Sequence, residues 1–306
     1  MKNQQILVTG GTGFIGRALC PTLIEQGHGI TILTRNAKTS NNLFSGKVRF
    51  VSDLNQLSPG EHFDTVINLA GEPISQRWTT QSKAAMIESR IQTTQALVNF
   101  MKRAKNRPTT FISGSAVGIY GTDEDTIFSE NTPASDDPVG LFPRDLCEQW
   151  EAEAHKAKIL GIRTCLLRTG VVLEKDDGAL AKLLLPFKLG LGGRLGSGNQ
   201  WFSWIHRDDL VRLIIHIMNN ESIEGPVNAT APAPITNAVF TKALGKAMKR
   251  PILLPMPAFQ VKLLFGEMGR AILLAGQNVV PEKALNDGFE FHYSTIDHAL
   301  KGIFTR

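Results

Sequence analysis

Short apolar runs and amphipathic stretches alternate along the first two thirds of the chain. Ile6-Leu7-Val8, Ile30-Thr31-Ile32-Leu33, Val48-Arg49-Phe50-Val51, Thr65-Val66-Ile67-Asn68-Leu69, Thr110-Phe111-Ile112-Ser113 and Thr164-Cys165-Leu166-Leu167 read as strands. Segments ending near Gln26, running from about Lys83 to Lys102, and from about Arg144 to Leu160, read as helices. The strands are apolar without strict alternation, as a parallel sheet covered on both faces requires. The pattern therefore predicts an α/β fold with a doubly wound parallel sheet and ligand sites at the carboxyl ends of its strands. Pro21 falls inside the first helix, where it should kink the helix or remove one hydrogen bond.

Past Leu173 the rhythm changes. Asp176-Asp177-Gly178 and the stretch Gly190-Leu191-Gly192-Gly193-Arg194-Leu195-Gly196-Ser197-Gly198 read as a Gly-rich connecting insertion over about 176–203. Asp208 and Asp209 precede an amphipathic run from Leu210 to Met218, with Asp209 placed to cap its free amides. Ala231-Pro232-Ala233-Pro234 separates that run from a helix-rich tail. The expected organisation is a main domain over 1–230 and a small, mostly helical C-terminal lobe over 231–306. A length of 306 residues suits one large core with an appendage.

Composition removes several classes. Hydrophobic residues at 42% and charged residues at 20% describe an ordinary globular chain. The net charge of +5 is dispersed, without the dense basic run of a nucleic-acid surface. Cys20, Cys147 and Cys165 are far apart and odd in number, which favours neither a disulfide framework nor a zinc site. No metal site is expected. Without a signal-like start or a long apolar span, the sequence predicts a soluble, cytoplasmic protein off the membrane, and it leaves a homodimer open.

The chemistry begins at Thr9-Gly10-Gly11-Thr12-Gly13-Phe14-Ile15-Gly16, set between a strand and a helix. That context makes a glycine motif a dinucleotide site of Rossmann type. Gly10 permits the tight turn, Gly13 lets the backbone approach a pyrophosphate, and Gly16 allows close helix packing, while the helix's first amides face the phosphates. Thr12, Phe14 and Ile15 belong to the same loop. At the end of the second strand, Thr34-Arg35-Asn36 stands where an acidic residue would accept the ribose hydroxyls of NAD. Arg35 would instead neutralise the 2′-phosphate, so NADP(H) is expected in preference to NAD(H).

These residues resemble the extended short-chain dehydrogenase/reductase superfamily. Asn68-Leu69-Ala70-Gly71-Glu72-Pro73-Ile74, Arg77-Trp78-Thr79, Ser89-Arg90, Ser113-Gly114-Ser115-Ala116, Leu167-Arg168-Thr169-Gly170-Val171-Val172-Leu173 and Trp204-Ile205-His206-Arg207-Asp208-Asp209 extend the likeness across nearly the whole chain. Together they are similar to the bacterial YfcH-type "epimerase family" NAD(P)-binding proteins. The resemblance implies that Leu69-Ala70-Gly71 lies along the cofactor ribose and that Arg90 approaches the cofactor from its helix. It also implies that Gly170-Val171-Val172 borders the nicotinamide end, and it makes Asp53 a candidate for the adenine.

The superfamily's proton transfer uses a Ser or Thr after the fifth strand with a Tyr-x-x-x-Lys on the following helix. Ser115 fits the first position, but Leu141-Phe142-Pro143-Arg144-Asp145-Leu146 puts Phe142 and Leu146 at the other two. Tyr120 and His206 are substitute acids to weigh, with Glu72 behind them. Arg77-Trp78 and the stretch 196–204 read either as an aromatic substrate rim or as packing. The first reading is an NADP(H)-dependent oxidoreductase of atypical mechanism for a small carbonyl or alcohol substrate. The alternative is a non-catalytic NADP(H)-binding sensor, and a sugar-nucleotide epimerase comes third.

Overall fold

The computed structural model describes residues 3–37, 43–252 and 254–305. Its centre is a seven-stranded, all-parallel sheet. The strands are β1 (Gln5–Thr9), β2 (Gly29–Leu33), β3 (Val48–Val51), β4 (Thr65–Asn68), β5 (Thr110–Ala116), β7 (Arg163–Thr169) and β11 (Gly225–Ala229), in the order β11-β7-β5-β4-β1-β2-β3. From β1 the chain proceeds to β2 and β3 on one side, then crosses back to β4 on the other. The strand order therefore reverses between β1 and β4, the place where open α/β sheets bind ligands.

Helices cover both faces, as the unalternated strands require. On one face α1 (Gly16–Glu25) and α5 (Arg207–Asn219) pack Leu19, Cys20, Leu23, Leu213 and Ile217 onto Ile6, Val8, Ile67 and Ile112. On the other, α2 (Thr80–Arg103) and α3 (Leu141–Ile159) pack Leu97, Met101, Ala154 and Ala157 onto Leu7, Val66, Phe111 and Leu166. A capping box between Thr79 and Ser82 starts α2 a turn before the apolar pattern becomes visible. Helix α1 runs through Pro21, which lacks the N–H that would bond one turn back.

Two expectations need correction. The insertion over 176–203 is more than a connection: it carries α4 (Gly178–Lys188), begun by Asp177, whose side chain accepts from the Gly178 amide. Pro186 inside α4 and the flanking glycines hid its periodicity. The cap of α5 is His206, whose Nδ1 accepts from the Asp208 amide at 3.0 Å. Asp209 is fully buried in the first turn, where it accepts from the backbone of His292 and Tyr293 and pairs with Arg212. The residue read as a cap thus ties the C-terminal segment to the sheet domain.

Small strand pairs complete the lobe side: β8 (Val171–Leu173) with β10 (Trp204–His206), β9 (Trp201–Phe202) with β12 (Ile235–Thr236), and β6 (Asp123–Phe128) with β13 (Gln277–Val279). The helical C-terminal region comprises α6 (Asn237–Met248), α7 (Ala258–Met268), α8 (Glu282–Asn286) and α9 (Ile296–Thr305). Leu173, Leu180, Phe187 and Trp204 share one apolar cluster with Phe240, Leu244, Leu300 and Ile303. The insertion therefore packs with the tail.

Candidate functional site

A cleft of about 1160 Å³ opens outside the carboxyl ends of β1, β2 and β4. The glycine turn forms its floor. Gly10 sits at φ +71°, and a Cβ there would lie 2.6 Å from the Leu69 carbonyl, so the left-handed turn and the close approach of the 69–71 backbone both demand glycine. At Gly16 a Cβ would meet the Gly10 carbonyl oxygen at 2.3 Å, which lets α1 start directly against the turn. The start of α1 has neither a side-chain cap nor an acidic residue in its first turn. The Gly13, Arg17 and Ala18 amides turn back to the Gly10, Gly13 and Ile15 carbonyls, so a pyrophosphate would sit against the glycine loop at the positive end of the α1 dipole.

Beneath the floor runs a buried polar chain. Thr9 Oγ1 donates to Asn68 Oδ1 (2.6 Å), Asn68 Nδ2 donates to Thr94 Oγ1 (2.9 Å), and Trp150 Nε1 donates to the same hydroxyl (3.0 Å). These bonds fix the ends of β1 and β4 against α2 and α3. Arg90 closes the chain from above: its guanidinium lies over the Trp150 ring at 5.1 Å, donates to the Met86 carbonyl, and packs against Gly71, where a Cβ would be 2.8 Å from Cζ. Burial pulls the Arg90 guanidinium below its usual range, with Cys147 and Glu72 pulling the other way.

Gly10, Thr12, Gly13, Phe14, Ile15, Thr34, Arg35, Leu69, Ala70 and Gly71 all line the cleft. Arg35, its side chain 90% exposed, pairs with Glu72 at 3.2 Å across the mouth. Such an exposed pair is weak and easily exchanged for a phosphate. Asp53 lines the wall and also caps a short turn, accepting from the Asn55 amide. Sequence reasoning missed further charged groups on the rim, Glu88 among them. Arg103 anchors the 54–55 turn through the Leu54 carbonyl and Asn55 Oδ1. Arg17 pairs with Asp177 at 3.0 Å, and Lys182 donates to Ser75, so α4 lies along the lip. Arg17 had a signal, since it follows Gly16 directly; Arg103, Asp177 and Lys182 reach the cleft only through tertiary folding.

The remaining candidates lie outside the walls of this cleft. Val172 belongs to β8, paired with Ile205. Ser115 is buried and donates to Glu151 Oε1 at 2.6 Å, while Glu151 receives a bidentate pair from Arg168 at 2.9 Å. Tyr120 is buried, donating to Asn228 (2.7 Å) and accepting from Arg168 (3.0 Å). Burial pushes its phenol up, against the opposing pull of Arg168. His206 caps α5 and stacks on Tyr293 with centroids 3.8 Å apart. Phe142 meets Trp78 edge-on at 4.8 Å, and Leu146 is buried in the same apolar cluster with Met86 and Met268. The aromatic rim reading dissolves at Trp78 and Trp204, both buried; Trp201 donates to the Glu124 carbonyl.

Comparison with known proteins places this geometry. The family model described as "NAD dependent epimerase/dehydratase family" matches residues 6–229, the span that forms the sheet. The chain belongs to that family. A second model, "Domain of unknown function (DUF1731)", matches residues 256–303 in the tail. The chain is 41% identical to "Epimerase family protein SDR39U1 homolog, chloroplastic" of Arabidopsis thaliana, over 99% of this chain and 87% of that one. It is 39% identical to "Epimerase family protein YfhF" of Bacillus subtilis, over 97% of each.

Among solved structures, human epimerase family protein SDR39U1 (isoform 2) with NADPH superposes with a TM-score of 0.87 at 32% identity, covering 99% of both chains. A UDP-glucose 4-epimerase from Thermotoga maritima, at 18% identity and a TM-score of 0.78, covers 98% of this chain and 97% of its own and shares the fold alone. Within the epimerase/dehydratase family this member is an atypical extended short-chain dehydrogenase/reductase.

Proposed function

We propose that the chain binds NADP(H) in the cleft, with the pyrophosphate at the glycine loop before α1 and the 2′-phosphate at Arg35. The observation that carries this reading is the wall after β2: Thr34 and Arg35 line it, and Arg35 pairs with Glu72 through an exposed contact. Likeness to a human protein crystallised with NADPH supports it. The remaining cofactor contacts follow from the same placement: Gly10, Thr12, Gly13, Phe14, Ile15 and Gly16 at the phosphates, and Leu69, Ala70 and Gly71 at the ribose. Arg90 holds the 71 backbone, and Val172 stands toward the nicotinamide end. When bound, the cofactor supplies a hydride; the protein binds and orients it.

Titration of the purified chain with NADPH and NADH, followed by nicotinamide fluorescence, tests the reading. Arg35→Asp should weaken NADPH about tenfold or more by replacing attraction with repulsion, and leave NADH within about threefold. Equal losses for both nucleotides would overturn it.

A second reading makes the chain a reductase of a small carbonyl compound, with the Ser115 hydroxyl turning its hydrogen from Glu151 to the substrate oxygen and solvent delivering the proton. What favours it is the buried Arg168–Glu151–Ser115 chain at the carboxyl ends of β5 and β7, a costly arrangement where such folds place their chemistry. Turnover of NADPH with a carbonyl panel, abolished in Ser115→Ala, would support the enzyme. Tight binding with no turnover in the wild-type chain leaves nucleotide sensing as the function.

A further inference from the structure

Two segments depart from the rest of the chain in charge. Residues 178–200 and 231–266 together contain eight of the 33 Lys and Arg and none of the 28 Asp and Glu. The remainder, with 25 basic and 28 acidic residues, is net negative, so the chain's basic character resides in these segments. They are also neighbours in space. The Met256 amide donates to the Arg194 carbonyl and the Gly196 amide to the Met256 carbonyl, both at 2.9 Å, and the Gly193 backbone lies against the Leu254 carbonyl. The end of α4 and the start of α7 therefore share one surface.

That surface is apolar. Leu185, Leu189 and Leu191 from the end of α4, and Phe259, Leu263 and Leu264 from α7, are each between 57% and 75% exposed. Helix α7 buries only Val261 and Met268 and turns its larger apolar side chains to solvent. Single exposed leucines are commonplace, but six concentrated on two adjacent elements mark an interaction surface. Lys188 and Lys262 are interleaved with them on the same helices, and both are exposed; Glu267, the acidic residue of α7, is neutralised by its pair with Lys83.

We propose that this face docks on an anionic lipid bilayer, lying on the membrane surface without crossing it. Leu and Phe flanked by Lys are what an interfacial helix presents to acyl chains and anionic headgroups. A protein partner fits less well: protein interfaces are depleted of Lys and draw their binding energy from Trp, Tyr and Arg, and the two segments contain no Trp or Tyr. A second copy fits least, because a two-fold contact would set this basic face against itself. The inference is independent of the nucleotide cleft.

Cosedimentation of the full chain with vesicles tests it, using phosphatidylcholine alone and an equal mixture with phosphatidylglycerol. The wild-type chain should sediment with the anionic vesicles, at least about tenfold more tightly than with neutral ones, and release as salt rises. Leu263→Glu with Leu264→Glu, and separately Lys188→Glu with Lys262→Glu, should each weaken that binding by more than about tenfold while circular dichroism stays unchanged. Binding unaffected by either pair, or equal for both vesicle types, overturns the proposal. So does a wild-type chain that ignores both compositions; if light scattering then shows a dimer that Leu263→Glu dissociates, the occupant is a second copy.

Discussion

The carboxyl ends of the sheet differ on the two sides of the switch point. At β1, β2 and β4 the strands run into a glycine turn and a rim of Arg17, Arg35 and Arg103 around a cleft. At β5 and β7 they run into side chains already bonded to one another, Ser115 to Glu151, Glu151 to Arg168, Arg168 to Tyr120 and Tyr120 to Asn228. One side carries exposed ion pairs around a cleft, and the other bonds its polar groups to one another in the interior. Binding and architecture are thus divided across one sheet, and perturbing each side should give a different signature.

The largest effect is expected on the internally bonded side. Glu151 and Arg168 are almost wholly buried, so Glu151→Ala leaves a guanidinium without its partner and should cost about 3–5 kcal/mol of stability in urea unfolding. NADPH affinity of the remaining folded protein should stay within about threefold. A large loss of affinity with little loss of stability would erase the division. On the cleft side Gly10→Ala forces a Cβ into the Leu69 carbonyl at a left-handed position, with a strain of about 1–3 kcal/mol. There the binding loss should exceed the stability loss, because the turn that moves is the phosphate cradle; isothermal titration beside urea unfolding separates the two. Arg35→Asp comes next, altering nucleotide choice with almost no change in stability, since its side chain is exposed.

The sequence discloses the cleft side far better than the other. Gly10, Gly13 and Gly16 have fixed spacing because each answers a local backbone demand, and local demands leave a readable pattern. Arg35 is legible for the same reason, being adjacent to a strand end. Arg103 and Lys182 reach the rim from the end of α2 and from α4, through contacts 48 to 107 residues apart in sequence. No spacing rule encodes such contacts. On the other side, the family resemblance implies that Phe142 and Leu146 stand at the relay positions, but the destination of Ser115 depends on Glu151, 36 residues away on α3. Helix α4 was hidden by Pro186, and His206 by the more familiar capping residue three positions later.

The buried cysteines give a finer test, because they sample both sides. Cys20 lies in α1 behind the glycine turn, whereas Cys147 lies on α3 near Ser115 and Cys165 lies within β7. Burial pushes the Cys20 and Cys147 thiols up to about 12 and Cys165 up to about 11. In the unfolded chain a thiol ionises near 9.0, so above that pH the unfolded state sheds protons that the folded state keeps. The unfolded state then binds fewer protons, and stability must fall as pH rises from about 9 toward 11. Each thiol contributes about 1.4 kcal/mol per pH unit once the unfolded group is ionised and the folded one is not. Urea unfolding between pH 8 and pH 10.5 should show this slope, and Cys20→Ala and Cys147→Ala should each remove about one share of it. If Cys20→Ala leaves the slope intact while Cys147→Ala reduces it, solvent reaches the back of the glycine turn, and the cleft side is the looser half of the sheet.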